Sequence, residues 1–188
     1  MKRSLGINRM LATAVIAVTA PLAALTQLAH AAPAPPSVPT EVQIPAGNKL
    51  FLVAHAVGVQ IYSCNPVAGG YTWGLVAPRA NLYGDNGKLI ATHFGGPTWQ
   101  ALDGSYVIGK RIDGATVDPN AIQWLKLQAT STASGPYGSR LAGTTWIQRI
   151  ATTGGLAPAA AECNAGAVGT IREIPYTADY TFWKRSDS

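Results

Sequence analysis

Between residues 41 and 184 apolar and polar side chains alternate in short runs separated by turn residues. A period of two places successive side chains on opposite faces of an extended chain, so these runs predict strands rather than helices. The longest apolar run extends from Lys49 to Cys64. Phe51, Val53, His55, Val57, Val59 and Ile61 share one parity; Leu52, Ala54, Ala56, Gln60, Tyr62 and Cys64 share the other. The run is long for one strand and Gly58 offers a break, so two strands are expected, at about 49–55 and 58–64.

The rest of the pattern divides in the same way. Glu41 to Pro45 reads as a short first strand, and Tyr71, Trp73 and Leu75 alternate in a strand that ends at Pro78. Asn86-Gly87 and Asp103-Gly104 are hairpin signals, because a tight turn needs residues that tolerate positive φ. Strands are expected over about 88–94, 98–101, 105–112, 122–130, 144–152 and 176–183. Gly154 to Gly169 is mostly Ala, Gly and Pro and reads as a loop, with room for one helical turn near Ala159-Ala160-Ala161. About nine or ten strands with turns every 8–12 residues predict an all-β fold, a single antiparallel β-sandwich or flattened barrel.

The N-terminus follows a different rule. Lys2, Arg3 and Arg9 precede an apolar run from Met10 to Leu28, which ends in Ala29-His30-Ala31. A basic head, an apolar middle and a small-x-small exit make residues 1–31 a cleavable secretory signal peptide. A membrane anchor is disfavoured, since Pro21 and Thr26 interrupt a run barely long enough to span. Residues 32–40, with Pro33, Pro35, Pro36 and Pro39, form a proline-rich lead-in expected to be extended or disordered. A β-domain follows over 41–184, and the export signal places it in the periplasm or outside the cell.

Export alters the meaning of the charge and of the cysteines. Three of the fourteen basic residues lie in the signal, so the formal net charge of +5 falls to +2 for the remaining chain. Those basic residues are dispersed, which argues against a nucleic-acid surface. The two cysteines, Cys64 and Cys163, are expected to pair in an oxidising compartment, closing a loop long enough to stabilise the fold by ~4–5 kcal/mol.

Four segments together resemble a known family: Gly58 to Cys64 (GVQIYSC), Thr92 to Trp99 (THFGGPTW), Gly143 to Pro158 and Ile174 to Tyr180 (IPYTADY). The chain is similar to an exported domain-of-unknown-function family of bacteria and fungi, whose fungal members often carry a malate-dehydrogenase-like label. The resemblance implies no activity and no site residues. A nicotinamide enzyme needs Gly-x-Gly-x-x-Gly leading from a strand into a helix. The pairs Gly69-Gly70, Gly95-Gly96 and Gly154-Gly155 do not make that motif, so no cofactor is expected.

The chemistry-bearing residues are few. His93 precedes Gly95-Gly96-Pro97 and Trp99, where a bend brings an imidazole near an indole. It is the one weak candidate for a general base, with Asp103 or Asp85 to orient it. The bland alternative is a histidine bonded to a carbonyl and packed on Trp99. His55, on the parity of Phe51, Val53 and Val57, reads as a core histidine. His55 and His93 lack ligand spacing, so no metal site is expected. Trp73, Trp99, Trp124, Trp146 and Trp183 read as core or cross-strand partners before they read as a sugar-stacking platform. Lys110, Arg111 and Arg149 read as solvated charges or structural ion pairs, and Asp103, Asp113 and Asp118 as turn residues.

The leading expectation is therefore an exported, non-catalytic ligand-binding or cell-surface β-domain. It would hold a small molecule or glycan near His93, Pro97 and Trp99, with no membrane contact after signal cleavage. The alternatives are a hydrolase or isomerase with His93 as base, which needs His93 in an open cleft beside a second ionisable group, and a structural envelope or coat protein, which needs a plugged interior.

Overall fold

The computed structural model describes residues 33–187, and the expected signal peptide lies outside them. Eight antiparallel strands follow one another around a closed barrel: β1 (Asn48–Val67), β2 (Gly70–Tyr83), β3 (Leu89–Phe94), β4 (Thr98–Ala101), β5 (Tyr106–Ala115), β6 (Trp124–Ala133), β7 (Trp146–Gly154) and β8 (Ile171–Arg185). Each strand pairs with the next, and β8 returns to pair with β1. The all-β, antiparallel, disulfide-linked fold is thus the barrel form of the expected architecture, with no free sheet edge.

The β1–β8 seam decides which parity faces inward. On β8, Tyr176, Ala178, Tyr180 and Phe182 are buried in the core. Opposite them on β1 stand Gly58, Ala56, Ala54 and Leu52. Large aromatic groups on one strand thus meet small residues on its neighbour, as a narrow barrel requires. On the odd parity of β1 His55 and Val57 face outward and are exposed, which corrects the reading of His55 as a core histidine. Both parities of β1 are largely apolar, so hydrophobicity alone could not choose between them.

The same seam explains the strand count. β1 is one continuous strand rather than two, because Gly58 serves close packing instead of a break. A Cβ on Gly58 would lie 2.2 Å from the Arg79 carbonyl oxygen and 2.4 Å from the Ala80 Cβ. β2 likewise runs through Pro78, which sits beside the register shift at Ile61/Tyr62, where a proline is tolerated. The expected strand at 41–45 is instead a 3-10 turn, Thr40–Val42, because Pro39 and Pro45 leave too little chain to pair. Val42 is fully buried, and its carbonyl accepts a 2.7 Å bond from Gln148 Nε2. Gln148 Oε1 accepts from Thr181 Oγ1 and Trp183 Nε1, so the lead-in straps the outer face of β7 and β8 through a satisfied buried amide.

The two barrel ends differ. At one end, the β4–β5 turn and the 134–145 loop form a seal. Asp103 Oδ1 accepts from the Ser105 amide and hydroxyl, Asp103 Oδ2 from the Arg140 amide, and Ser105 Oγ from the Leu141 amide. Leu141 is completely buried there. These bonds hold the Asp103 carboxyl below its ordinary range and give it a turn-forming role. At the other end, the long loop between β7 and β8 carries two 3-10 turns, Ala160–Glu162 and Ala165–Ala167. It is fastened by the Cys64–Cys163 disulfide, by Tyr62 Oη donating to the Gly155 carbonyl, and by Trp73 Nε1 donating to the Ala159 carbonyl.

The disulfide spans 99 positions of sequence, so its loss should free a long loop of the unfolded chain. Replacing Cys64 and Cys163 together by Ser should lower unfolding free energy by ~2–5 kcal/mol, read as a lower urea midpoint. An unchanged midpoint would show that the ladder alone holds the loop.

Candidate functional site

A cavity of about 260 Å³ opens at the end that the disulfide-held loop only partly covers. Its outer wall is Leu75, Val76, Ala77 and Pro78 of β2 together with the Gly95-Gly96-Pro97 turn; its inner wall includes Gln60, His93, Trp99, Leu125, Leu127, Arg149 and Tyr180. His93, Pro97 and Trp99 therefore line one cavity. The sequence around them explains the shape. Gly96 takes a positive φ of 109° in the β3–β4 turn, and Gly109 on β5 leaves room for Trp99, whose Cζ3 would lie 3.1 Å from a Cβ there.

His93 stands opposite Trp99 in the β3–β4 ladder, and both rings turn inward. The rings stack with centroids 4.4 Å apart and planes 9° apart, and the Tyr180 ring lies 5.0 Å from the imidazole. Nδ1 of His93 is 2.8 Å from the Thr98 carbonyl oxygen, which can only accept, so Nδ1 carries the proton. Burial pushes the imidazole down to about 3, partly opposed by the Thr98 bond, while the Arg149 charge adds to the depression. His93 is thus a neutral ring with Nε2 as acceptor. Asp103 belongs to the sealed end and Asp85 to the β2–β3 turn; neither orients His93, and the cavity lining contains no carboxylate.

Asp85 serves another histidine. On the outer surface, His55 Nδ1 lies 2.7 Å from Asp179 Oδ1 and Nε2 lies 3.0 Å from Asp85 Oδ1. Both partners are carboxylates, so the two contacts favour the protonated ring, in which both nitrogens donate. The bond to Asp179, then that to Asp85, raises the His55 pKa against a smaller desolvation effect.

Three further polar residues, Gln60, Arg149 and Arg111, line the cavity and were not singled out as site candidates in the sequence. Gln60 is buried on the inward parity of β1, and its Nε2 has no hydrogen-bond partner. The Trp99 indole Nε1 is also buried without one. Arg149 pairs across the ladder with Tyr180 and faces the cavity, where a solvated face or a structural ion pair was expected. Its Nε and Nη2 donate to the Gln123 carbonyl at 3.1 and 2.9 Å, and among the described residues it makes no ion pair. Arg111, at the cavity's edge, donates from Nη2 to Gln123 Oε1 at 2.9 Å. The one available signal was a polar residue at an inward strand position, legible only once the inward parity of β1 and β7 is known.

The tryptophans offer no open platform. Trp99 and Trp183 are buried, and Trp73, Trp124 and Trp146 are half-buried. Among the described residues no cluster of His, Cys, Asp and Glu is arranged to hold a metal ion, and no helix is long and apolar enough to cross a membrane.

Residues 45–184 match the model of a family described as Protein of unknown function (DUF3455). No curated protein and no solved structure matches the chain.

The two described histidines should titrate oppositely. In an NMR pH series the His93 imidazole should stay neutral from pH 8 down to pH 5, while His55 should titrate above 6.5. A raised folded pKa adds stability that is complete below the unfolded value of 6.5 and is lost as pH rises through the folded value. His55→Gln should remove that pH dependence, which is worth at most ~1 kcal/mol for so exposed a group.

Proposed function

The chain belongs to the DUF3455 family of proteins of unknown function, and we propose that it is an exported, non-catalytic binding protein that holds one small ligand in the open end of its barrel. The observation that carries this reading is the pair of buried, unpartnered donors, Gln60 Nε2 and Trp99 Nε1, on residues lining the cavity. A buried donor without an acceptor costs about 1–3 kcal/mol, and a ligand acceptor removes that cost. Eight-stranded barrels have an interior just wide enough to be filled by side chains or to hold one small molecule. Here side chains fill one end, and a volume just below the ~300–1,000 Å³ of pockets for drug-sized ligands remains at the other.

Export is supported by the signal-like N-terminus and by the disulfide. The open cavity does not fit the plugged interior that a purely structural coat protein requires. Catalysis by His93 has little support: the base is buried and depressed, and no nucleophile or carboxylate shares its cavity. A polymeric glycan would need an open aromatic face, and none of the five tryptophans is exposed.

A thermal-shift screen of the oxidised chain lacking residues 1–31 tests the reading. The panel would hold small aromatic and aliphatic compounds beside short glucose and N-acetylglucosamine oligomers. At least one small compound should give a saturable rise in melting temperature. Ala77→Phe, which narrows the opening from β2, should weaken that compound at least tenfold. A response to oligosaccharides alone, or small-molecule binding indifferent to Ala77→Phe, would sink the proposal.

A further inference from the structure

We infer that the ligand is a small monocarboxylate with an apolar body, its carboxylate held inside the barrel by Arg149, Gln60 and Trp99. This rests on the ligand-binding reading and specifies its chemistry. The argument begins with charge. Arg149 is a half-buried guanidinium with no acidic partner among the described residues, and no acidic residue lines the cavity. Charges withdrawn from water are normally paired, because desolvating an unpaired ion is costly. Arg149 is fixed rather than free to swing outward: two of its donors grip the Gln123 carbonyl, and the guanidinium also lies against the Tyr180 hydroxyl. Its positive field reaches the interior, acting on His93, Tyr62, Tyr176 and Tyr180 alike.

The remaining donors narrow the class. Gln60 Nε2 carries two N–H donors and Trp99 Nε1 one; all are neutral and unpartnered, and a small shift of either side chain would turn them to the cavity. One guanidinium and two neutral donor groups match a singly charged group with two acceptor oxygens. A phosphate carries more charge than this end offers, because the only other cation on the lining, Arg111, is exposed at its edge and already bonded to Gln123. The rest of the lining sets the body of the ligand. Leu75, Val76, Ala77, Pro78, Pro97 and Leu125 present apolar surface, and Leu75 and Val76 are more than half exposed along the rim. A charged head points inward and an apolar tail leaves along this wall.

The probes are phenylacetate and hexanoate, each compared with its neutral amide by calorimetric titration of the oxidised chain lacking residues 1–31. Each carboxylate should bind at least tenfold more tightly than its amide. Gln60→Leu should weaken the carboxylate at least fivefold while raising the melting temperature of the ligand-free protein, because it deletes an unpartnered buried donor. Arg149→Met should erase the difference between acid and amide. If Arg149→Met does not fold, the acid–amide comparison and Gln60→Leu decide alone. Equal affinity for acid and amide, or binding of neutral compounds alone, overturns this inference and leaves the ligand-binding reading standing. Absence of binding by these probes and by the whole screening panel overturns both.

Discussion

The seam between β1 and β8 is the constraint on which the rest of the structure depends. Its ladder runs from Asn48–Arg185 to Ser63–Ile171 and turns a meander of hairpins into a closed barrel. Closure leaves no edge strand to be covered, but it demands an interior that fits. The fit comes from size complementarity, with Tyr180 opposite Ala54 and Tyr176 opposite Gly58. Enlarging either side of this seam would force the aromatic rings off their positions, and Trp99 and Phe182 pack edge to face against one another in the same interior.

The seam also separates what the sequence reveals from what it conceals. Local signals were legible because their physics is local. Asn86-Gly87 and Asp103-Gly104 do turn the chain, with Gly87 and Gly104 at positive φ, and Cys64 and Cys163 do pair. The parity of β1 was not legible, because Val53, Val57 and Val59 on the outer face are as apolar as the residues that face inward. Only the aromatic residues of β8, more than a hundred positions away, make the choice. The errors share that origin. His55 read as core, Gly58 as a break and Arg149 as a solvated charge or structural ion pair, and each residue is defined by a partner remote in sequence. The first strand failed for a different reason. Val42 is buried by docking a turn on the outside of the barrel, and a buried apolar residue flanked by prolines has the same local signature as a short strand.

Among the described residues the buried side-chain polar atoms without a partner both belong to residues that line the open end. Gln148, buried on the outer face, finds partners for both ends of its amide, Val42 for Nε2 and Thr181 and Trp183 for Oε1. Gln60, buried on the inner face, does not. The two glutamines show that this chain can pair a buried amide when the site is purely structural. The contrast is what the proposed binding reading requires, since an unpartnered buried donor lowers stability until an acceptor meets it.

The sealed end has a kinetic consequence. Leu141 and the Asp103 turn close the floor of the barrel, so on the proposed reading an occupant would enter and leave at the mouth of the cavity. Entry and exit therefore cross the same barrier between β2, the Gly95-Gly96-Pro97 turn and the disulfide-held loop. A change to the rim alone alters both rates by one factor and leaves the equilibrium untouched, whereas a change to the inner donors alters residence time at constant entry rate. On the proposed binding reading, the rim would set how fast an occupant exchanges, and the inner donors how tightly it is held.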